Sequence, residues 1–186
     1  MAQDQRNTNR NTNKDQAIES DGLSEQVISI DRVARVVKGG RRFRFKALVV
    51  VGDGKSKVGI GVSKGADVQT AVQKAVDVAK KNLITIPKYR DTIPHDSEAK
   101  LAGAHIIIRP AASGTGLIAG GVVRAILEMG GIRNVLSKSL GSSNKVNCAY
   151  ATVDALQKLK PANEWVTRRF ADKKPTKAAV KTEAKA

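Results

Sequence analysis

The stretch RFRFKALVVVGDGKSKVGIGV (residues 42–62) decides the fold of the first half of the chain. In its first part hydrophobic side chains recur at alternate positions, which is the period of a β-strand with one buried face. The predicted inward-facing side chains are Phe43, Phe45, Ala47, Val49 and Val51. Asp53-Gly54 then gives a strong hairpin signal, and glycines alternate with branched residues in the run that follows. We expect an antiparallel hairpin whose glycines allow either close approach of a neighbouring backbone or a β-bulge.

Outward from this hairpin, one strand precedes it and one helix follows it. VISIDRVARVVK (27–38) is rich in Val and Ile and predicts a strand joined to residues 42–52 by a glycine turn. Hydrophobic residues then step by three and four from Val68 to Ile86, which predicts a helix ended by the next proline. Residues 23–87 therefore predict three antiparallel strands with a helix packed on the sheet. Double-stranded-RNA-binding domains have this general plan in their second part.

The second half of the chain predicts another α+β domain, over residues 98–165, after a linker at 88–97 that contains proline. The predicted elements are a strand at 104–111, a glycine-rich turn at 114–121, a helix at 122–131, a strand at 133–142 and a helix at 145–159. Asn144 is a candidate cap for the last helix. Polar composition predicts a disordered tail at residues 1–22 and a mobile basic tail at 166–186.

The charge of the chain restricts its partners. Of its 186 residues 33 are Lys or Arg and 17 are Asp or Glu, a formal net charge of +16, which indicates nucleic acid or an anionic membrane. No hydrophobic run approaches the ~18 residues of a spanning helix, and the polar N-terminus is unlike a signal peptide. A single cysteine, Cys148, excludes an intrachain disulfide, and we expect it to be a small buried side chain. We expect a soluble protein of a reducing compartment.

The excess of cations is concentrated in the first domain. Residues 32–64 contain ten Lys or Arg and one acid, while residues 168–186 contain seven Lys or Arg and two acids. Cations at this density neutralise phosphates and release counterions, and the glycines among them let backbone N–H groups approach phosphate. Because Phe43 and Phe45 are expected in the core, we expect recognition of folded RNA through its backbone and grooves rather than by base stacking.

A competing motif lies in the second domain. GTGLIA (114–119) fits the dinucleotide-binding pattern G-x-G-x-x-[GA] between a predicted strand and a predicted helix. That pattern also requires an acidic residue about 20 positions later, and residues 137–145 contain none. His95 and His105 have no evident set of catalytic partners, so we expect no metal, no cofactor and no enzymatic activity. The glycine loop then faces either RNA phosphate or a protein neighbour, and the sequence leaves both open.

Four motifs are specific in combination: KGGRRF, GDGKSKVG, SGTGLIAGG and LGSSN. Together with the sequence around them, over about residues 23–165, they resemble the family of the fifth protein of the bacterial small ribosomal subunit. The resemblance implies an N-terminal double-stranded-RNA-binding-like domain, built as a three-stranded antiparallel sheet plus a helix. It implies a C-terminal α+β domain with a βαβ-containing fold. It also implies a structural, non-enzymatic role and a cytoplasmic location, in the ribosome.

The resemblance further implies specific partners. These are small-subunit ribosomal RNA, ribosomal proteins four and eight of the small subunit with protein three nearby, and messenger RNA at the channel through which it enters. The family helps to set decoding accuracy through contact with protein four. An alternative from another class is a free-standing double-stranded-RNA-binding regulator, which a salt wash of small subunits would separate from the ribosome.

The resemblance also assigns residues. Those implied to bind RNA are Lys38, Gly39, Gly40, Arg41, Arg42, Arg44, Lys55 and Lys57. Arg32 and Lys64, at the two ends of the cation-rich stretch, complete the predicted RNA-binding set. Those implied to form the protein interface that tunes accuracy are Gly114, Thr115, Gly116 and Arg124. The turn DGKS (53–56) departs from the family pattern, which often has a second glycine there. The register of the two lysines beside that turn therefore depends on this chain's own geometry.

Overall fold

The computed structural model describes residues 22–161 and Glu164. The first half forms a four-stranded antiparallel sheet in the order β1-β2-β3-β4 with one helix. Its elements are β1 (Ser24–Val37), β2 (Gly40–Gly52), β3 (Lys57–Gly65), α1 (Val68–Lys81) and β4 (Leu83–Thr85). The predicted hairpins and the antiparallel order of the first three strands are confirmed.

The end of the helix differs from the sequence prediction. α1 stops at Lys81 with Asn82 as its C-cap, and the chain turns back so that Leu83 pairs with Gly59 of β3. The expectation of a continuous helix to Ile86 was wrong, because the hydrophobic spacing continued by coincidence into a short strand. Leu83–Thr85 adds a fourth, edge strand to the sheet, and Ile86 beyond it is 2% exposed.

The glycines of β3 fit a helix lying directly on the strand. A Cβ atom built on Gly61 would overlap the carbonyl oxygen of Ala75, and one built on Gly59 would overlap that of Ala79. Both carbonyls belong to α1, whose inner face carries small alanines. The predicted close backbone approach is confirmed, and it holds α1 against one face of the first sheet.

The second half forms a mixed sheet in the order β5-β6-β8-β7 with two helices. Its elements are β5 (Ser97–Leu101), β6 (Ala104–Pro110), β7 (Leu117–Ile118), α2 (Gly121–Met129), β8 (Val135–Gly141) and α3 (Lys145–Gln157). β7 and β8 are parallel and joined through α2, which is the βαβ unit. β5, which the sequence analysis missed, is polar and pairs antiparallel with β6. The α+β class with two domains is confirmed.

The cap of α3 and the burial of the single cysteine are as predicted. Asn144 precedes α3, and its Oδ1 accepts a hydrogen bond from the backbone N–H of Val146 at 3.1 Å. Cys148 is 6% exposed, and its thiol lies 3.3 Å from the carbonyl oxygen of Ser142. Its role within the described residues is that of a small buried side chain with a weak hydrogen bond.

A shared hydrophobic core joins the two halves. The inner face of the first sheet away from α1 contributes Leu48 and Val50, both fully buried. The same cluster contains Ile126 of α2 and Leu156 of α3. The layers are therefore α1, the first sheet, the α2–α3 pair and the second sheet. Each layer buries hydrophobic residues against the next, so the first sheet is covered on both faces near its centre.

Candidate nucleic-acid interface

The outer end of the β1–β2 hairpin projects beyond the helix that covers the sheet. The ladder continues to the pair Val37–Gly40, so the turn consists of Lys38 and Gly39 alone. The α1-facing core of the sheet begins at Ala47, with Phe45 partly buried beside it. The five cations nearest the turn are all exposed: Arg35, Lys38, Arg41, Arg42 and Arg44. The hairpin tip is therefore a dense, solvent-facing group of positive charge.

The turn itself leaves room for a partner. Gly40 has φ of 144°, a conformation that favours glycine, and the backbone N–H of Gly39 donates to the carbonyl oxygen of Val37 at 2.9 Å. A Cβ built on Gly39 or Gly40 would meet no atom within 4 Å. The protein's own packing does not require both glycines. The open space lets another molecule's backbone approach the turn closely.

One face of the hairpin forms a groove of about 400 Å³ lined by cations. Arg35 and Arg42 are directly opposed in the ladder, and Arg44 lies two residues further along the same face. Lys64 of β3 borders the same groove. The structure thus brings together Arg42, Arg44 and Lys64, as the RNA-binding assignment requires. Arg35 was missed, although counting back across the turn from Arg42 would have found it.

The opposite face contains an exposed aromatic ring, contrary to the sequence prediction. Phe43 is 48% exposed, and the guanidinium of Arg32 lies 3.8 Å from the centroid of its ring. The expectation that Phe43 lies in the core was wrong because α1 ends short of this part of the hairpin. A cation–π contact therefore holds the Arg32 side chain in place. The planar guanidinium and the Phe43 ring are both available to a partner on this face.

Most of these cations lack acidic neighbours. Lys46 is the exception, since its Nζ lies 2.9 Å from Oδ2 of Asp31. That hydrogen bond lowers the pKa of Asp31 against the opposing effect of burial. Within residues 22–161, none of the arginines of the hairpin forms an ion pair with a carboxylate. Within the part of the chain that the structure describes, no carboxylate compensates their charge.

The second turn lies far from the hairpin tip. Oδ1 of Asp53 accepts backbone hydrogen bonds at 2.8 Å from Lys55, Ser56 and Lys57. Burial raises the pKa of Asp53, but these three donors outweigh it and the pKa lies below its ordinary value. At ~3.3 Å per residue, the β2 strand places this turn roughly 40 Å from Arg41. The structure does not bring Lys55 and Lys57 together with the hairpin cations.

The glycine loop between β6 and β7 is satisfied internally. Oδ1 of Asn134 accepts hydrogen bonds from the backbone N–H groups of Gly114, at 3.1 Å, and Gly116, at 3.0 Å. Asn134 is 7% exposed, and its carbonyl oxygen accepts a bond of 2.6 Å from Oγ1 of Thr92. These N–H groups are the ones a nucleotide phosphate would need. The loop therefore presents a fixed outer surface with Thr115 exposed, and it does not act as a phosphate cradle.

Arg124 of α2 lies near this loop. It is exposed on α2, and its backbone N–H donates to the carbonyl oxygen of Gly120 at 2.8 Å. It lines an open cleft together with Leu117, the neighbour of Gly116. The four residues assigned to a protein interface therefore belong to one region of the second domain.

Comparison with known families matches both halves. The family model described as "Ribosomal protein S5, N-terminal domain" matches residues 23–87. The one described as "Ribosomal protein S5, C-terminal domain" matches residues 99–169. The chain belongs to the ribosomal protein S5 family. As an S5 protein it is a structural component of the small ribosomal subunit that binds ribosomal RNA and has ribosomal proteins as partners.

The two histidines of this S5 protein have hydrogen-bonding or charged neighbours within the fold. His95 accepts a hydrogen bond at Nε2 from the backbone N–H of Lys160, at 2.9 Å, and its Nδ1 lies 2.7 Å from the carbonyl oxygen of Asp96. Nε2 of His105 lies 3.4 Å from Oε2 of Glu98. Among the described residues no three metal-ligating side chains form a group, and no helix there is long and apolar enough to cross a membrane.

Proposed function

We propose that the tip of the β1–β2 hairpin binds folded ribosomal RNA. In this proposal Lys38, Arg41 and Arg42 contact phosphates, while the open turn at Gly39 and Gly40 admits the RNA backbone. Arg44 and Lys64 extend the contact along the groove, and Arg32 with the Phe43 ring covers the opposite face. Such a site recognises shape and phosphate positions more than base sequence.

The observation that supports this proposal is the uncompensated charge of the hairpin. Like charges directly opposed in an antiparallel ladder destabilise it, and Arg35 and Arg42 are opposed in this way. No carboxylate of the described residues pairs with either arginine. An external polyanion would remove the repulsion and gain counterion-release free energy at the same time.

The second surface in the proposal is a contact with ribosomal protein four. Its residues are Gly114, Thr115, Gly116 and Arg124. The hydrogen bonds that Gly114 and Gly116 donate to Asn134 give the glycine loop a single outer shape, as a protein interface requires. Through this contact the protein would influence decoding accuracy, with proteins three and four beside it at the channel where messenger RNA enters, and protein eight as another neighbour. The strength of the interface then sets how readily the subunit changes between decoding states.

The hairpin proposal is tested with a double variant, Lys38→Ala with Arg41→Ala. We expect weaker binding to purified small-subunit ribosomal RNA, and a log–log salt dependence shallower by roughly one unit for each phosphate that is no longer neutralised. The matched control is Lys74→Ala with Lys81→Ala, which removes the same charge from the exposed side of α1. An unchanged slope in the hairpin variant, or an equal change in the control, contradicts the proposal.

The interface proposal is tested at Arg124. Because its side chain is exposed, Arg124→Leu should leave the thermal unfolding midpoint close to that of the parent chain. Ribosomes that carry this variant should change their rate of misreading in a reporter assay. A matched control is Lys100→Leu, at an exposed position of β5. Misreading equal to that of unmodified ribosomes would show that Arg124 does not lie in the accuracy interface.

A further inference from the structure

Three loops meet beside α2 and border an open cleft of about 950 Å³. The backbone N–H of Gly54 donates to the carbonyl oxygen of Met129 at 3.0 Å, which holds the second turn against the end of α2. The backbone N–H of Arg133 donates to the carbonyl oxygen of Asp91, also at 3.0 Å. These bonds join loops from both halves of the chain, so the walls of the cleft are set by the fold.

The lining of the cleft is predominantly cationic. Its charged members are Lys55, Lys88, Arg90, Arg124 and Arg133 on the positive side, and Asp91 and Glu128 on the negative side. In the part of the chain that the structure describes, none of these five cations forms an ion pair. Sequence reasoning had named only Lys55 and Arg124, and had assigned them to different functions.

Lys88 is the innermost of the cations. It is half-buried, and its Nζ donates a hydrogen bond of 2.7 Å to the carbonyl oxygen of Gly131. Burial lowers the pKa of Lys88, and the nearby Arg133 adds to this effect, while Asp53 and Asp91 oppose it. The hydrogen bond to a neutral carbonyl leaves the ammonium without a directly paired carboxylate, although Asp53 and Asp91 lie near it, so it can still attract an anion that enters the cleft.

Arg90 provides an independent observation. It has φ of 56°, and the paired bonds between Tyr89 and Thr92 make Arg90 and Asp91 the two residues of a tight turn. Glycine or asparagine is the usual residue at such a position, because a long side chain there is strained. The turn fixes the backbone of Arg90, and its guanidinium lies 5.5 Å from the centroid of the Tyr89 ring at the edge of the cleft.

The character of the lining distinguishes RNA from protein as the partner. The centre of a protein interface is typically apolar and aromatic, with lysine depleted. Here the apolar lining residues are Leu117, which is only partly exposed, and Ile132, which is 1% exposed. Cations on fixed loops with little apolar surface are typical of phosphate contacts.

We propose that Lys55, Lys88, Arg90 and Arg133 form a second RNA site that binds a phosphodiester group in this cleft. Arg124 stands on the α2 side of the same cleft and remains available to a protein neighbour. The site is separate from the hairpin tip and rests on the proposed function only in taking ribosomal RNA as the source of the phosphate. Each contact with a phosphate releases counterions, so the site should add to the salt dependence of binding.

The experiment compares four full-length variants, one of them a charge-conserving control in the cleft, in binding to purified small-subunit ribosomal RNA across a range of monovalent salt. The cleft variant is Arg90→Asn with Arg133→Gln, where asparagine suits the positive φ and both side chains are exposed. The others are the hairpin variant and the α1 control described above. We expect the cleft variant to lower the log–log slope by roughly one to two units. Arg90→Lys with Arg133→Lys should keep most of the slope.

The outcomes separate the two proposals. If the cleft variant keeps the parental slope while the hairpin variant has a shallower one, the cleft inference is wrong and the hairpin proposal stands. The reverse pattern would overturn the hairpin proposal and support the cleft. If the cleft variant binds RNA as the parent does but has a weaker affinity for purified ribosomal protein four, the cleft is a protein site and the inference is overturned.

A second measurement covers the case in which the double variant unfolds. An Arg90→Cys chain carrying a photoreactive label on that thiol is incorporated into reconstituted small subunits and irradiated. A crosslink to ribosomal RNA supports the site, whereas a crosslink to protein alone, or no crosslink, overturns it.

Discussion

Arg35 and Arg42 stand directly opposite each other in the β1–β2 ladder. Both side chains are exposed and both line the groove on one face of the hairpin. Opposed like charges cost a fraction of a kcal/mol, typically about 0.2–1 kcal/mol relative to a favourable pair. The free energy of the folded hairpin is therefore lower when a polyanion lies beside these two arginines than when the protein is alone in water.

This pair predicts effects of opposite sign for Arg35→Glu. The free protein should become more stable by about 0.2–1 kcal/mol, because a glutamate opposite Arg42 replaces repulsion by attraction. Affinity for ribosomal RNA should fall, with a salt slope shallower by roughly one unit. Urea unfolding and RNA titration measure the two effects. Lys74→Glu on α1 is the matched charge reversal. A loss of stability, or unchanged RNA affinity, would show that Arg35 lies outside the interface.

The Arg32–Phe43 contact should be measurable by a double-mutant cycle. Arg32→Gln, Phe43→Leu and the double variant should give a coupling free energy of about 0.5–1 kcal/mol, since the guanidinium lies 3.8 Å from the ring centroid at an exposed site. Chemical denaturation of the parent chain and the three variants supplies the four free energies of unfolding that the cycle needs. Strict additivity of the two single changes would mean that the contact contributes nothing in solution.

Asn134→Leu should loosen the glycine loop. The change removes the acceptor for the N–H groups of Gly114 and Gly116, and we expect the free energy of unfolding to fall by about 1–3 kcal/mol. Hydrogen exchange at these two amides should accelerate by roughly tenfold or more, as a loss of about 1.4 kcal/mol implies. Asn134→Asp keeps an acceptor and should preserve much of the protection. Unchanged exchange in Asn134→Leu would refute the role assigned to Asn134.

The second turn should make stability depend on acidity. The pKa of Asp53 in the folded protein lies below 3.8, the ordinary value for an aspartate. The unfolded state therefore binds the proton more readily. The stabilisation that ionised Asp53 contributes is complete above pH 3.8. It is lost as the pH falls through the lower pKa that Asp53 has in the folded protein. Asp53→Ala should cost about 1–2 kcal/mol at neutral pH, and the difference from the parent should shrink in acid. Urea unfolding at several pH values checks this, and a constant difference would contradict it.

Much of the fold followed from local patterns. The alternation before Asp53 and the cap at Asn144 were predicted, because each depends on neighbours close in sequence. The glycines of β3 indicated a close backbone approach or a bulge, but they did not identify α1 as the neighbour. The end of α1 was not predicted, because Leu83 and Ile86 continue the helical spacing. In the structure Leu83 pairs in a strand, and Ile86 is buried in the core. Strand β5 was missed because its polar residues show no hydrophobic alternation.

The candidate site was predictable where charge density decides it and unpredictable where tertiary packing does. The cations of the hairpin tip are exposed as expected. Phe43 is exposed because α1 is too short to cover it, which its own strand pattern does not reveal. Lys88, Arg90 and Arg133 are dispersed in the sequence, and only the meeting of three loops places them beside Lys55.

The hydrophobic core that spans both halves makes the two halves move as one rigid body. The first sheet, which carries the cationic hairpin at one end, buries its central residues against α2 and α3. A tilt of the hairpin cannot be absorbed at a hinge between the halves without opening that core. Movement of the ribosomal RNA at the tip would instead rotate the whole protein, and the glycine loop and Arg124 would move with it.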